Sequence, residues 1–257
     1  MSKPSALIGA SGFVGGNLKD QFHFDALFDS KTIDGALGKA YSLLVSAAPS
    51  AVKWKANKFP EEDKVMVDTY IEKLMQISAD SVVSISTCDV YQSPIGVDED
   101  ADVTSTLKTL HPYGKHRFLI EEAIKRHFPE VLIVRLPALF GQGLKKNVIF
   151  DFTYNNMLEA IHSEGSFQFY NLEYLWRDIE IAREAGVSLL NITTEPVTVA
   201  EVARTCFGKE FSNILESKPA RYDIRSKHAH LYGGKDGYMY TKETVLADIK
   251  KFVTKTT

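Results

Sequence analysis

Ser5-Ala6-Leu7-Ile8 runs directly into Gly9-Ala10-Ser11-Gly12-Phe13-Val14-Gly15-Gly16 and then into Asn17-Leu18-Lys19-Asp20-Gln21. This order predicts a strand, a tight glycine turn and a helix, and it constrains the fold more than any other stretch. Gly9 lets the chain leave the strand steeply, Gly12 places no Cβ between the backbone and a ligand, and Gly15 lets the helix lie close against a sheet. A diphosphate above such a turn meets unpaired N–H groups and the positive end of the helix dipole. The spacing is Gly-x-x-Gly-x-x-Gly, and its place between an apolar strand and a helical pattern predicts dinucleotide binding.

The rest of the chain continues the alternation. Ala26 to Asp29 reads as a second strand with Asp29 at its tip, and Ser42 to Ser46 as the next. Only a dozen residues separate these two, too few for a full crossover with a strand of its own, so the third strand of such a sheet is expected to be short or missing. Ala47-Ala48-Pro49 leaves the strand through small residues, and Val52 to Lys58 reads as a basic loop. Pro60 followed by Glu61-Glu62-Asp63 is a helix start, with Val65, Val67, Ile71, Leu74 and Ile77 as its apolar face. Ser81 to Ser86 and Val131 to Leu136 are buried-strand patterns, and between them Pro112 opens a helix reaching about Phe128. Parallel strands covered on both faces by helices follow from this order. Beyond Gly141-Gln142-Gly143 the rhythm changes, to a helix over 147–161, a short strand over 166–170 and a helix over 172–184. Ser188 to Ile192 reads as one more core strand. Thr198-Val199-Ala200-Glu201 has capping-box spacing and starts a helix to about Phe207, and a last helix spans 242–253.

At 257 residues the chain can bury a full core, with 44% apolar and 25% charged residues as in ordinary globular proteins. A net charge of −3 and the lack of a long basic run argue against a nucleic-acid groove. Cys88 and Cys206 lie far apart, which suggests neither a disulfide framework nor a zinc site and fits a reducing cytoplasm. No apolar run approaches the ~20 residues of a membrane span, and a strand rather than a signal-type segment opens the chain.

Three stretches lie just beyond predicted strand ends, where open α/β sheets hold ligands. They are Ser86-Thr87-Cys88-Asp89-Val90-Tyr91, His111-Pro112-Tyr113-Gly114-Lys115-His116-Arg117, and Arg135-Leu136-Pro137-Ala138-Leu139-Phe140-Gly141-Gln142-Gly143. Together with the opening glycines, they resemble the extended short-chain dehydrogenase/reductase family of sugar-nucleotide epimerases, dehydratases and dTDP-4-dehydrorhamnose-type reductases. The resemblance covers most of residues 4–205. It implies a Rossmann-type parallel sheet with a small C-terminal substrate lobe. The implied division is 1–146 for the cofactor core, 147–171 for a substrate-lobe segment, 172–207 for a return to the core, and 208–257 for the lobe and final helix.

The resemblance implies that Thr87, four residues before Tyr91, hydrogen-bonds the reacting oxygen, and that Tyr113 is the acid/base. A phenol near pKa ~10 needs a fixed cation to serve as a base at neutral pH. The family places Lys four residues after the Tyr; this chain has Arg117, on the same helix face, whereas Lys115 points away. Arg117 keeps the charge and is able to grip a ribose diol. The remaining implied cofactor contacts are Gly9, Ser11, Gly12, Phe13, Val14, Gly15, Ala47, Ala48, Pro49 and Leu136. Asp29 suits adenosine ribose hydroxyls, which favours NAD, while Ser30 and Lys31 suit a 2′-phosphate, which favours NADP. On the substrate side stand Asp89, better read as solvated or turn-capping than as a dehydratase acid, Lys145-Lys146-Asn147 at a helix start, and Arg221. Cys88 reads as a packing residue.

The expected function is an NAD(P)-dependent oxidoreductase or epimerase acting on a hydroxyl or ketone of a sugar nucleotide. The rivals are a non-catalytic dinucleotide-binding regulator, with Arg117 turned away to a carboxylate such as Glu121, and a dehydratase using Asp89. An isologous homodimer through the helices beginning at Pro60 and Pro112 is expected.

Overall fold

The computed structural model describes residues 3–256. The strands are β1 (Ser5–Ile8), β2 (Ala26–Phe28), β3 (Ala40–Ser46), β4 (Ser78–Thr87), β5 (Val131–Leu136), β6 (Ala138–Phe140), β7 (Ser166–Phe167), β8 (Phe169–Asn171), β9 (Leu189–Asn191) and β10 (Val197–Thr198). The helices are α1 (Phe13–Gln21), α2 (Lys53–Lys58), α3 (Pro60–Leu74), α4 (Pro112–His127), α5 (Val148–Tyr154), α6 (Leu175–Glu184), α7 (Val199–Phe207) and α8 (Lys242–Thr256). A six-stranded sheet runs in the order β2-β1-β3-β4-β5-β9. The pairs β1 with β2, β1 with β3, and β3 with β4 are parallel. The reversal of direction falls at β1, beside β3, so the glycine turn leaves the sheet at its topological switch point. Between Phe28 and Ala40 there is only the 3₁₀ turn Ile33–Ala36, and the third strand of a complete crossover is missing as expected.

Two compact units make up the chain. The first comprises 1–92, 101–135 and 175–190, and the second 93–100, 136–174 and 191–257. In the first unit, Ala6, Ile8, Leu44, Val67, Leu74, Val82, Ile124 and Ile133 form a core of sheet residues with α3 and α4. The second unit has its own core of Phe140, Ile149, Phe169, Val202, Val245 and Ile249. Within it β6 pairs with β8 in parallel, and β7 with β10 antiparallel.

Several local expectations are corrected. The basic loop over Val52 to Lys58 is the helix α2, whose only buried residue is Ala56; six residues with one inward position carry too little period to be read. The expected apolar face of α3 is wrong at Val65, which is 65% exposed, while Asp63 and Tyr70 are buried. The helix expected over 147–161 ends at Tyr154, because Asn155 and Met157 are left-handed at φ 52° and 48°. The strand expected over 166–170 is split at Gln168. Its buried side chain takes over the pairing, donating to the Thr194 and Ile224 carbonyls and accepting from Ile224 N–H. The helix expected from Leu172 begins with one 3₁₀ turn, Leu172–Tyr174. The capping box at Thr198 and Glu201 is present with both of its hydrogen bonds.

Candidate active site

The glycine turn is held by backbone contacts. Gly9 N–H and Ala10 N–H both donate to the Phe28 carbonyl, at 2.8 and 3.0 Å. Gly9 has φ +89°, and a Cβ there would come within 2.5 Å of the Ala47 carbonyl oxygen; one on Gly15 would collide with the Gly9 carbonyl. Both glycines are therefore sterically required, as the sequence implied. A Cβ on Gly12 would meet only the Gly9 carbonyl oxygen, at 3.2 Å, so the space above it is open. Gly12 caps α1 with no side-chain hydrogen bond, and the first turn, which includes Phe13, Val14 and Gly15, holds no acid. Ser11 is exposed at the tip. These donors suit a pyrophosphate.

One strand over, Asp29 lies just past the end of β2. Its Oδ1 accepts from Lys31 N–H, Thr32 N–H and the Thr32 hydroxyl at 2.9 to 3.1 Å. These hydrogen bonds, with the Lys31 backbone the strongest, hold its carboxyl below the usual range. Ser30 and Lys31 are exposed. Ala47, Ala48 and Pro49 follow β3, partly exposed, and Leu136 is buried at the end of β5.

The residues singled out as candidate catalytic groups gather where α4 begins. His111 is its N-cap, with Nδ1 accepting from Gly114 N–H at 3.1 Å, which leaves the ring proton on Nε2 while the imidazole is neutral. Burial, helped by the charge of Lys53, lowers the His111 pKa against the opposing charge of Asp89. The Tyr113 N–H has no partner inside the helix, and Asn57 Oδ1 of α2 accepts it at 3.0 Å. A Cβ on Gly114 would collide with the Asp89 carbonyl, so α4 starts hard against the turn that follows β4. That turn is capped by Thr87, whose Oγ1 accepts from Asp89 N–H at 3.1 Å. The cap is therefore Thr87 and not Asp89, whose Oδ1 accepts from Lys53 Nζ at 2.7 Å. Cys88 is buried, and burial pushes its thiol well above the ordinary range.

Tyr113 is 6% exposed. Burial raises its pKa; the Arg117 cation and the nearby Thr87 hydroxyl pull the other way without reversing the shift. The structure therefore brings Thr87, Tyr113 and Arg117 together. Arg117 does not turn to Glu121, but another carboxylate, that of Asp63, holds it, which is the kind of engagement the regulator reading expected. Its Nη1 and Nη2 donate to Asp63 at 3.3 and 3.2 Å, and Nη2 also donates to the Ser50 carbonyl at 2.7 Å. Its Cζ lies 4.7 Å from the Tyr113 ring centre. Nε is buried without a partner, a donor that a ligand would satisfy. Glu121 is instead claimed by Arg135, which donates from Nε at 3.0 Å and from Nη2 at 2.6 Å, and by the Ser86 hydroxyl. Arg135 Nη1 reaches on to Tyr91 Oη at 2.8 Å.

In the second unit, Asn147 does not offer its side chain to a ligand. It caps α5, accepting from Ile149 and Phe150 N–H and donating to the Leu139 carbonyl. Lys145, Lys146 and Arg221 are exposed. Sequence reasoning missed Lys53, Asn57 and Asp63. Asp63 was visible only as an acid in the first turn of a helix, and its partners lie more than fifty residues away in the chain.

No protein-family model and no curated protein matches this chain. Solved structures do. A dTDP-4-dehydrorhamnose reductase from Bacillus anthracis, in complex with NADP, superposes with a TM-score of 0.72 at 15% identity, over 99% of each chain. A UDP-glucuronic acid 4-epimerase from Bacillus cereus, in complex with a UDP-sugar and NAD, gives 0.72 at 14% over 98% of this chain and 99% of that one. A UDP-galactose 4-epimerase gives 0.71 at 17% over 96% of each. The fold is that of these enzymes. At such identities the likeness is one of fold, and it spans the whole chain in each comparison rather than one unit.

No helix among the described residues is long and apolar enough to cross a membrane. No group of His, Cys, Asp and Glu among them is arranged to hold a metal ion.

Proposed function

We propose that this protein is an NAD(P)-dependent oxidoreductase or epimerase acting on a hydroxyl or ketone of a nucleotide sugar. The observation that carries the reading is the meeting of Thr87, Tyr113 and Arg117 beside the turn after β4, on a fold whose solved relatives bind NAD or NADP. The open space above Gly12, the uncapped start of α1 and the unpartnered Arg117 Nε fit a dinucleotide. Bound there, the nicotinamide would give or take a hydride.

The protein's part is to manage the accompanying proton. A phenol is neutral at physiological pH and burial raises the Tyr113 pKa further, so Tyr113 is ready to donate to an oxygen that gains charge as a ketone is reduced. The Thr87 hydroxyl, whose oxygen accepts from Asp89 N–H, has its proton free to offer a second donor to the same oxygen. The positive charge of Arg117 then stabilises the phenolate left behind. This assignment favours reduction as the direct role. In an epimerase the same phenolate would take the proton back.

Asp29, held as an anion next to β2, favours NAD, because a 2′-phosphate would face that charge at close range. The reading is tested by a panel of nucleotide-4-keto sugars and nucleotide sugars, each with NAD(H) and NADP(H), following nicotinamide absorbance and product mass together. Turnover of a nucleotide sugar with tighter binding of NAD(H) is expected. Binding of neither cofactor would sink the reading, and binding without turnover across the panel would favour the non-catalytic regulator.

The reading includes an isologous homodimer and a cytoplasmic setting. Val65 and Met66 on α3 are exposed, at 65% and 36%, an apolar surface that a two-fold contact would cover. Light scattering at micromolar concentration should give twice the chain mass of 28.7 kDa; a monomer would remove the dimer.

A further inference from the structure

We propose that Asp63 is a positioning residue for Tyr113 that acts through Arg117, an inference that rests on reading Tyr113 as the proton donor. A buried arginine is long, has many rotamers and needs a counter-charge; without one it would swing toward water. Asp63, 7% exposed on the first turn of α3, supplies that charge. Its two oxygens each take one Nη of Arg117, at 3.2 and 3.3 Å. The Ser50 carbonyl takes Nη2 as well. Fixed by those bonds to two separate parts of the chain, the guanidinium is left with one place to lie, against the Tyr113 ring.

Asp63 is itself anchored. His116 Nδ1 lies 2.7 Å from Asp63 Oδ2, and both residues are buried. The carboxylate is therefore gripped from α4 at two successive residues, 116 and 117, while being carried by α3. A simple charge pair would need none of this. The arrangement fixes a direction, which is what a cation tuning one phenol requires.

The groups that bear on Tyr113 come from four elements. From α4 come Arg117 and the neutral His111, and from the turn after β4 come Asp89 and the un-ionised Cys88. From α2 comes Lys53, paired with Asp89, and from α3 comes Asp63 through Arg117. Removing the Asp63 charge has two opposed effects. The lost negative charge favours the phenolate, whereas release of Arg117 disfavours it. Because the guanidinium lies against the Tyr113 ring while Asp63 reaches it only through Arg117, the second effect is expected to prevail.

The test is a titration of Tyr113 by ¹³Cζ-tyrosine NMR on the full chain without cofactor or substrate, the signal being assigned with Tyr113→Phe. In Asp63→Asn the onset of ionisation should move upward by about one pH unit, a tenfold change in the equilibrium. In an Arg117→Met background, where the path is already cut, Asp63→Asn should add no further shift. No shift, or a downward one, overturns the proposal, as does an equal shift in both backgrounds. If Asp63→Asn fails to fold, Asp63→Glu replaces it, keeping the charge but moving it by a methylene; an upward shift is again expected, and its absence again overturns. Turnover plays no part in this readout. A protein that shows the shift but turns over no nucleotide sugar defeats the functional reading and not the linkage, and turnover without the shift does the reverse.

Discussion

Replacing Tyr113 with Phe is expected to lower turnover by about two to four powers of ten while leaving nicotinamide cofactor binding nearly intact, the range for loss of one general acid/base. The substitution removes only the hydroxyl, so the packing of a side chain that is 6% exposed is kept. Steady-state kinetics with a competent nucleotide sugar, together with a fluorescence titration of the cofactor, check both halves. The pH dependence has a sign. Tyr113 acts as an acid when protonated, and burial raises its pKa. Reduction should therefore persist through neutral pH and fall only as the pH climbs past the ordinary phenol value near ~10. A profile falling between pH 6 and 8 would point to a different donor, and His111 would be the first to examine. A loss of less than tenfold in Tyr113→Phe would remove Tyr113 from the chemistry.

The largest effect on stability is expected at Glu121. This carboxylate is 1% exposed and is the counter-charge of Arg135, which is 2% exposed. Burial alone would lower the Arg135 pKa, but the charge and hydrogen bonds of Glu121 more than reverse this and raise it. Glu121→Ala leaves that guanidinium buried without its partner and should cost about 3–5 kcal/mol. With total stabilities of roughly 5–15 kcal/mol, that is a third or more of the whole. A urea melt followed by circular dichroism measures it. Since most of the cost is the stranded charge, Glu121→Leu combined with Arg135→Met should recover most of the loss. A double variant as unstable as the single one would show that the hydrogen bonds to Ser86 and Tyr91 matter more than the ion pair.

Legibility in the sequence followed the range of the forces involved. The glycine turn, the strands of the sheet and the helices starting at Pro60 and Pro112 depend on near neighbours, on period 2 or 3.6, and on start signals, and each was readable. The helix α2 was not, because six lysine-rich residues carry one buried position. The end of α5 had a signal in Asn155, which adopts the left-handed form that closes helices, but the apolar residues beyond it masked the stop. Within the site, Thr87, Tyr113 and Arg117 were placed by resemblance, and their meeting is a property of β4 lying next to α4. The partner of Arg117 was not legible. Spacing along the helix pointed to Glu121, four residues on, yet Arg135 on β5 takes Glu121, and Asp63, 54 residues earlier in the chain, takes Arg117. Helical spacing shows which groups are able to meet, and the competition for a buried carboxylate is decided by the sheet.

The contact between Gly114 and the Asp89 carbonyl has a consequence for how this site could change over time. Because the start of α4 rests on main chain, the separation between Thr87 and Tyr113 is a property of the frame and not of the groups mounted on it. Side chains around it are then exchangeable without moving the two. A lysine traded for an arginine, with a carboxylate recruited from a neighbouring helix to hold it, is the kind of substitution such a frame tolerates. The same frame is intolerant at one point: a single methyl group on Gly114 would push α4 off the Asp89 carbonyl and spread Thr87 and Tyr113 apart, whatever residues stood in their places.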